Sequence, residues 1–183
     1  MNTMTHTKRI IISALCVALC YVLPVAFHAV GLGSILSPMH IPVLLCGLVC
    51  GGGYGAVCGV VGPVLSSLLS GMPPVTALFS MVPELVVYGL AGGMLMARVR
   101  TGKLLPDVYI SLIGAMVCGR IAGGIAKAIF VTVMATGDAF TISMWVSSYF
   151  VSAVPGIVAH LVLIPILVMT LVKARVIPAW YRK

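Results

Sequence analysis

The sequence predicts an all-α integral membrane protein with six transmembrane helices and both termini in the cytoplasm. Its 183 residues are 61% hydrophobic and 8% charged, whereas soluble domains average roughly 45–50% and roughly 25%. The mean hydropathy is +1.22. Because a spanning helix needs about 20 apolar residues, six spans take up roughly 120 residues and leave only short loops. We therefore expect one membrane domain over residues 1–183.

Glycine and proline divide the apolar blocks into spans. The block at residues 41–72 is too long for one helix, and Gly51-Gly52-Gly53 splits it. Pro73-Pro74 makes the next turn, and Pro106 opens a later span, because proline is tolerated in a first helical turn. The predicted spans cover residues 10–30, 41–51, 53–72, 74–97, 106–135 and 142–172.

The basic residues set the orientation. Lys and Arg accumulate in cytoplasmic loops of membrane proteins. In the six-span arrangement all of them except Arg120 and Lys127 fall on one side of the membrane: Lys8, Arg9, Arg98, Arg100, Lys103, Lys173, Arg175, Arg182 and Lys183. Both termini are therefore predicted to be cytoplasmic.

Three ionisable residues interrupt the spans: Glu84, Arg120 and Lys127. A charge at the bilayer centre costs at least roughly 2.5–3.5 kcal/mol, so it normally faces the protein interior or an aqueous cavity. Arg120 and Lys127 lie two turns apart on one helix face, about 10 Å along the axis, which suits an anionic ligand. A structural ion pair between Glu84 and one cation is the alternative, and it leaves the other cation for a carboxylate or phosphate. Tyr88 is read as a packing residue.

Histidines and aromatic residues give a weaker indication of a binding site. His28 and His40 flank the first outer loop, where each is either a solvated interfacial residue or a ligand contact. His160 lies in the middle of the last span. Trp145 and Tyr149, four residues apart, form either a face that stacks on a planar ring or part of an interfacial aromatic belt.

Small residues recur at intervals of four. Ala14 and Ala18 form an AxxxA motif on the first span, and a second series crosses spans two and three at Gly47, Gly51, Gly55 and Gly59. Such faces let helices approach closely in lipid. Packing within the protein is the default interpretation of both series.

The sequence contains no motif typical of a catalytic or metal site. HExxH, GxSxG and GxxxxGK[ST] are absent, and the acids beyond Glu84 are Asp107 and Asp138, both at helix ends. The six cysteines lie in apolar runs with no histidine or acid at ligand spacing. We predict no enzyme, no metal and no cofactor, and any ATP hydrolysis must come from another subunit.

Two segments are more specific in combination: ALCVA at residues 14–18 and SPMHIPVLLCGLVCGGGYGAVCGVVGPVLSSLLSGMPP at residues 37–74. With the length and the six-span topology, they make the whole chain resemble the S-components, which are the substrate-binding membrane subunits of energy-coupling factor (ECF) vitamin transporters. The resemblance implies that Ala14 and Ala18 dock on a coupling transmembrane subunit driven by two cytoplasmic ATPases. It also implies that the S-component topples within that subunit in a bacterial or archaeal plasma membrane.

The resemblance places the ligand pocket near the outer face, at the outer loops and spans four to six, which hold the three buried charges and the aromatic pair. The HIPVLLCG and GMPP segments are most similar to members linked to cobalamin-related compounds, either corrinoids or dimethylbenzimidazole and α-ribazole, with pantothenate second. A small molecule, the bilayer and the ECF subunits are the expected partners, and nucleic acid is not.

Two other classes stay open. A stand-alone secondary transporter commonly has two related halves, and residues 10–72 and 74–172 show no clear similarity. A structural membrane subunit would explain the small-residue faces but leave Arg120 and Lys127 without a role.

Overall fold

The computed structural model describes residues 4–29, 31, 37–134 and 141–177, and these residues form a bundle of helices. The helices are α1 (His6–Ala29), α2 (His40–Cys50), α3 (Gly52–Ser70), α4 (Val75–Arg98), α5 (Leu104–Met134), α6 (Ile142–Val146) and α7 (Val154–Lys173). One π-helical turn, Ser147–Val151, continues α6. Within the described ranges there is no β-strand.

Five of these helices, α1, α3, α4, α5 and α7, are long and apolar enough to cross a membrane. The all-helical prediction is therefore confirmed, and the count of six spans is matched only in part. Helix α2 has 11 residues. At 1.5 Å per residue it is about 16 Å long, roughly half the thickness of a hydrocarbon core.

The last predicted span differs from the structure. Residues 142–172 were expected to form one helix, but the chain there forms α6, the π-helical turn and α7, with a break at Ser152 and Ala153. Pro155 lies in the first turn of α7, where its missing N–H costs nothing. The span prediction at residues 142–172 is thus wrong as a single helix.

The short helix α2 lies at the centre of the bundle. Each of its residues is buried, and it packs against α1, α3, α4, α5 and α7. A helix that is apolar all round is typical of a buried position. The helix is therefore shielded from lipid, which explains why it does not need the length of a span.

Glycines on α2, α3 and α4 allow these helices to touch backbone to backbone. A Cβ atom added to Gly47 or Gly55 would collide with the backbone of Gly89, and one added to Gly59 would collide with the backbone of Leu85. Gly51 is needed for its backbone conformation and not for close packing. Its φ of 106° lets the chain reverse between α2 and α3. Close packing inside the protein thus accounts for most of the predicted glycine series.

Five cysteines fill the space where α1, α2 and α3 meet. The sulfur atoms of Cys20 and Cys58 are 4.0 Å apart, and Cys46 donates to the hydroxyl of Ser13 at 3.4 Å. All five are buried free thiols, Cys16, Cys20, Cys46, Cys50 and Cys58, whereas Cys118 on α5 is exposed. The cluster serves as small apolar packing that ties α1 to the centre of the bundle.

The helix ends gather at two opposite faces of the bundle. At one face the hydroxyls of Ser66 and Ser67 donate to the carbonyls of Met72 and Pro73, both at 2.8 Å, and join the end of α3 to the start of α4. At the other face the ring of His6 contacts the ring of Tyr54, with centroids 5.8 Å apart, so the starts of α1 and α3 are neighbours. The connection between α4 and α5 belongs to this second face.

Candidate functional site

A cavity of about 610 Å³ opens at the first of these two faces. Its walls come from the end of α1, the start of α2, the α3–α4 connection, α4, α5, the π-helical turn and the start of α7. The lining residues are Pro24, His28, Ser37, Pro38, Met39, His40, Met72, Pro73, Pro74, Ala77, Ser80, Met81, Glu84, Arg120, Lys127, Ser148, Tyr149 and Ala153.

The floor of the cavity is the beginning of α2. The Nε2 atom of His40, the first residue of α2, lies 3.7 Å from the Oε1 atom of Glu84. Glu84 is in the third turn of α4, about 14 Å along the axis from its start at Val75. Helix α2 therefore begins well below the mouth of the bundle, and the cavity occupies the space above it.

The carboxylate of Glu84 is fixed by its own helix and by α2. The hydroxyl of Tyr88, one turn further along α4, donates to Glu84 Oε1 at 2.8 Å. The His40 ring packs on the Tyr88 ring with centroids 5.3 Å apart. Tyr88 is buried, as a packing residue would be, but it also orients the carboxylate, which the sequence interpretation missed.

Arg120, which is buried, and Lys127, which is half-buried, lie on either side of this carboxylate along α5. A Cβ atom on Gly123 would come within 2.9 Å of Glu84 Oε2, so Glu84 meets α5 at the level of Gly123. Arg120 is about 4.5 Å deeper along the helix axis and Lys127 about 6 Å nearer the mouth. The cavity wall thus carries a positive, a negative and a positive group in sequence.

Arg120 joins α5 to the π-helical turn. Its guanidinium donates a hydrogen bond to the backbone carbonyl of Tyr149, and its Cζ atom lies 5.8 Å from the centre of the Phe150 ring. In return, the indole of Trp145 donates to the backbone carbonyl of Arg120 at 3.3 Å. Among the described residues Arg120 forms no salt bridge with Glu84, and Glu84 faces His40 instead.

Tyr149 and Trp145 occupy different surroundings. Tyr149 lies on the cavity wall, with the Lys127 ammonium 6.0 Å from its ring centre, at the edge of cation–π range. Trp145 lies outside the cavity wall, against Gly124, and meets the ring of Phe150 edge-on at 5.4 Å. The π-helical turn changes the residue spacing after Trp145, so the two rings do not form the joint stacking face that α-helical spacing predicts.

The three histidines of the sequence analysis are placed at three depths. His28 lines the cavity near its mouth and His40 lies at its floor. His160 on α7 is 1% exposed and stacks behind His40, with ring centroids 5.8 Å apart. Neither ring nitrogen of His160 has a hydrogen-bond partner among the described residues.

The cavity also contains polar residues that the sequence analysis overlooked. Ser80 lies one turn from Glu84 on α4, and Ser148 precedes Tyr149. The spacing of four between Ser80 and Glu84 was a readable signal for a shared face. Ser148 had no such signal, because its position depends on the π-helical turn.

In the part of the chain that the structure describes, no group of three or more His, Cys, Asp or Glu side chains is arranged to hold a metal ion. The groups at the cavity can instead bind an organic solute through charge and hydrogen bonds.

On α1, Ala14 and Ala18 are exposed. They form one stripe with exposed apolar side chains such as Ile11, Val22 and Val25, which are 62%, 52% and 45% exposed. The stripe faces away from α2 and α3, opposite the buried Cys16 and Cys20. These small residues therefore do not serve packing inside the protein.

An apolar helix bundle with a charged cavity at one end is the architecture expected of a membrane protein that binds a solute. The chain matches the family model described as "ECF transporter, substrate-specific component" over residues 8–177, and it therefore belongs to that family. It is a multi-pass membrane protein and a substrate-capture subunit of an ECF importer, and is therefore a transporter subunit. Comparisons with curated proteins and with solved structures found no match.

Proposed function

We propose that this S-component captures a small organic anion at the outer face of the plasma membrane of a bacterium or archaeon. It then presents the anion to a coupling transmembrane subunit that two cytoplasmic ATPases drive. The observation that carries the proposal is the cavity, where Arg120 and Lys127 from one face of α5 meet Glu84. Cations in a low-dielectric wall attract a carboxylate or phosphate more strongly than they do in water.

The size of the cavity favours the smaller candidates. About 610 Å³ falls within the roughly 300–1,000 Å³ range of sites for drug-sized ligands. A complete corrinoid, with its macrocycle and nucleotide loop, is far larger than such ligands. Dimethylbenzimidazole and unphosphorylated α-ribazole fit by size but carry no anion. We therefore propose pantothenate as the first candidate and a phosphorylated α-ribazole as the second.

The proposed topology has six passes with both termini in the cytoplasm. Because successive helices alternate in direction, the short α2 supplies one of these passes within the protein interior. The cavity mouth then opens outward. Supporting this, the described basic residues other than Arg120 and Lys127 lie at the opposite face or in the helix ends that lead to it: Lys8, Arg9, Arg98, Arg100, Lys103, Lys173 and Arg175.

We also propose that the stripe around Ala14 and Ala18 is the surface that docks on the coupling subunit. Exposed small residues permit a partner helix to approach closely in lipid. Since α1 is tied to α2 by the cysteine cluster and α2 forms the cavity floor, α1 and the floor would move as one body.

Native mass spectrometry of the full-length protein, gently released from detergent, tests the capture function. We expect the parent protein incubated with pantothenate to retain it, and Arg120→Gln to lose it. Lys103→Gln is the matched control, because it removes an exposed cation at the opposite face and should retain the ligand. A parent protein that retains neither pantothenate nor phosphorylated α-ribazole would contradict the proposed substrates.

A further inference from the structure

Glu84 is a negative group in a cavity that we propose to bind an anion. Its Oε1 atom accepts from Tyr88 and faces His40, whereas Oε2 points to the level of Gly123 and accepts no hydrogen bond within the described part of the chain. The residue is 7% exposed and contributes to the cavity wall. A carboxylate oxygen at a cavity wall can accept a hydrogen bond from a solute.

A ligand that carried only an anion would place its charge within about one or two helical turns of this carboxylate. Like charges at that distance repel each other strongly where the dielectric constant is low. The repulsion is offset if the same ligand gives Glu84 a hydrogen-bond donor, since a carboxylate acceptor makes stronger hydrogen bonds than a neutral one.

We infer that Glu84 is a specificity-determining residue that accepts a hydroxyl or N–H hydrogen of the substrate. The substrate class is then a short molecule with an anionic group at one end and a donor at the other, as in a hydroxy acid or an amino acid derivative. This inference rests on the proposed function. It goes further because it requires that the substrate carry a hydrogen-bond donor. Arg120 and Lys127 alone would require only an anionic group.

Tyr88 and His40 are the positioning residues for this contact. Both approach Oε1, so they hold the carboxylate while Oε2 lies at the level of Gly123 on α5. Ser80, one turn away on the same helix, extends the polar wall from Glu84 toward the mouth. The opposite ends of the substrate are therefore recognised by different helices, the donor by α4 and the anion by α5.

Isothermal titration of the full-length protein with three matched compounds tests the inference. Pantothenate carries a carboxylate and two hydroxyls, N-(3,3-dimethylbutanoyl)-β-alanine lacks both hydroxyls, and panthenol lacks the carboxylate. We expect the compound without hydroxyls to bind at least about tenfold more weakly than pantothenate, the effect of losing one hydrogen bond to a charged group. Panthenol should also bind more weakly.

The variant Glu84→Gln distinguishes a role of Glu84 in substrate recognition from a role in stabilising the fold. It should reduce the preference for pantothenate over the compound without hydroxyls to less than about threefold, while Arg120→Gln should instead reduce the preference over panthenol. If Glu84 were only structural, the variant would weaken all compounds alike and leave the preference unchanged, which would overturn the inference. Tyr88→Phe should reduce the preference partially.

The outcomes distinguish the two proposals. Equal affinity of the parent protein for pantothenate and for the compound without hydroxyls would overturn the role of Glu84 and leave the proposed function intact. Binding of none of the three compounds would contradict the pantothenate proposal, and the inferred substrate class would fall with it.

Discussion

The guanidinium of Arg120 donates a hydrogen bond to the backbone carbonyl of Tyr149, across the boundary between α5 and the π-helical turn. The indole N–H of Trp145 donates a second hydrogen bond, to the backbone carbonyl of Arg120. A single residue thus contributes positive charge to the cavity and holds one of its walls in place. Its loss should affect both the ligand and the wall.

The first prediction follows from this double role. Arg120→Lys retains the positive charge but cannot reproduce the planar guanidinium contact with Tyr149. We expect ligand-free Arg120→Lys to lose amide protection at residues 142–151 in hydrogen–deuterium exchange, because the π-helical turn is no longer held. Lys127→Arg is the control and should leave the exchange of that segment unchanged. Equal exchange in all three proteins would show that the contact does not hold the wall.

The second prediction concerns the glycine contacts between α2, α3 and α4. An added Cβ at Gly55 would press on the backbone of Gly47 and Gly89, which cannot move aside as a flexible side chain can. We expect Gly55→Ala to reduce the free energy of unfolding by about 3 kcal/mol, the upper part of the range for overpacked cores. Thermal unfolding in detergent, followed by circular dichroism, measures the change.

Gly53→Ala is the matched control for Gly55→Ala. Gly53 is on the same helix, two residues away, and a Cβ atom there meets nothing within 4 Å. The substitution should leave stability unchanged or raise it by up to about 1 kcal/mol, because alanine favours the helix. A comparable loss in both variants would point to a general intolerance of α3 and not to backbone contact.

The third prediction concerns the exposed stripe on α1. Ala18→Leu should weaken association with the coupling subunit at least about tenfold, since a larger side chain prevents close helix approach. Affinity for the small molecule should stay unchanged, because Ala18 does not line the cavity. Co-purification of the assembled transporter and ligand titration of the isolated S-component measure the two effects separately.

Ala97→Leu provides the control for the docking surface. Ala97 is also exposed and also within a helix, but it lies on α4. Assembly should proceed normally with this variant. If Ala97→Leu disrupted assembly and Ala18→Leu did not, the docking surface would have to be placed on α4.

The fourth prediction uses the thiols as reporters of folding. Five cysteines are buried in the protein, and Cys118, although on the surface of α5, lies near the middle of that membrane-crossing helix and therefore faces lipid. Because a maleimide reacts with the thiolate in water, we expect little modification of the native protein in detergent and modification of all six thiols after unfolding in sodium dodecyl sulfate, as counted by intact-mass spectrometry. Rapid modification of Cys20 or Cys58 would mean that the junction of α1, α2 and α3 opens in solution.

The sequence predicted the helices well wherever length and hydropathy decide the outcome. Span four, placed at residues 74–97, corresponds to α4 at Val75–Arg98, and the split at Gly51–Gly53 corresponds to the junction of α2 and α3. Glycine and proline mark such junctions through backbone geometry alone, so neighbouring helices are not needed to recognise them.

The arrangement of the site was harder to predict from the sequence. The grouping of Glu84, Arg120 and Lys127 followed from the cost of charge in a membrane, which acts on each residue separately. The partner of Glu84 did not follow, because His40 reaches it only through the depth at which α2 begins. The π-helical turn likewise depends on tertiary contacts of Arg120 with Tyr149, and residue spacing cannot reveal it.

The shortness of α2 gives the cavity an unusual origin. Its floor is set by the position of His40, the first residue of α2, so large side chains need not be removed from the surrounding walls to create it. One further turn at the start of α2 would advance that end by about 5.4 Å and fill much of the space, while the five long helices kept their packing. The depth of the cavity is thereby set by where one helix begins, and a different first residue of α2 would leave room for a solute of different length without any change to the lipid-facing surface.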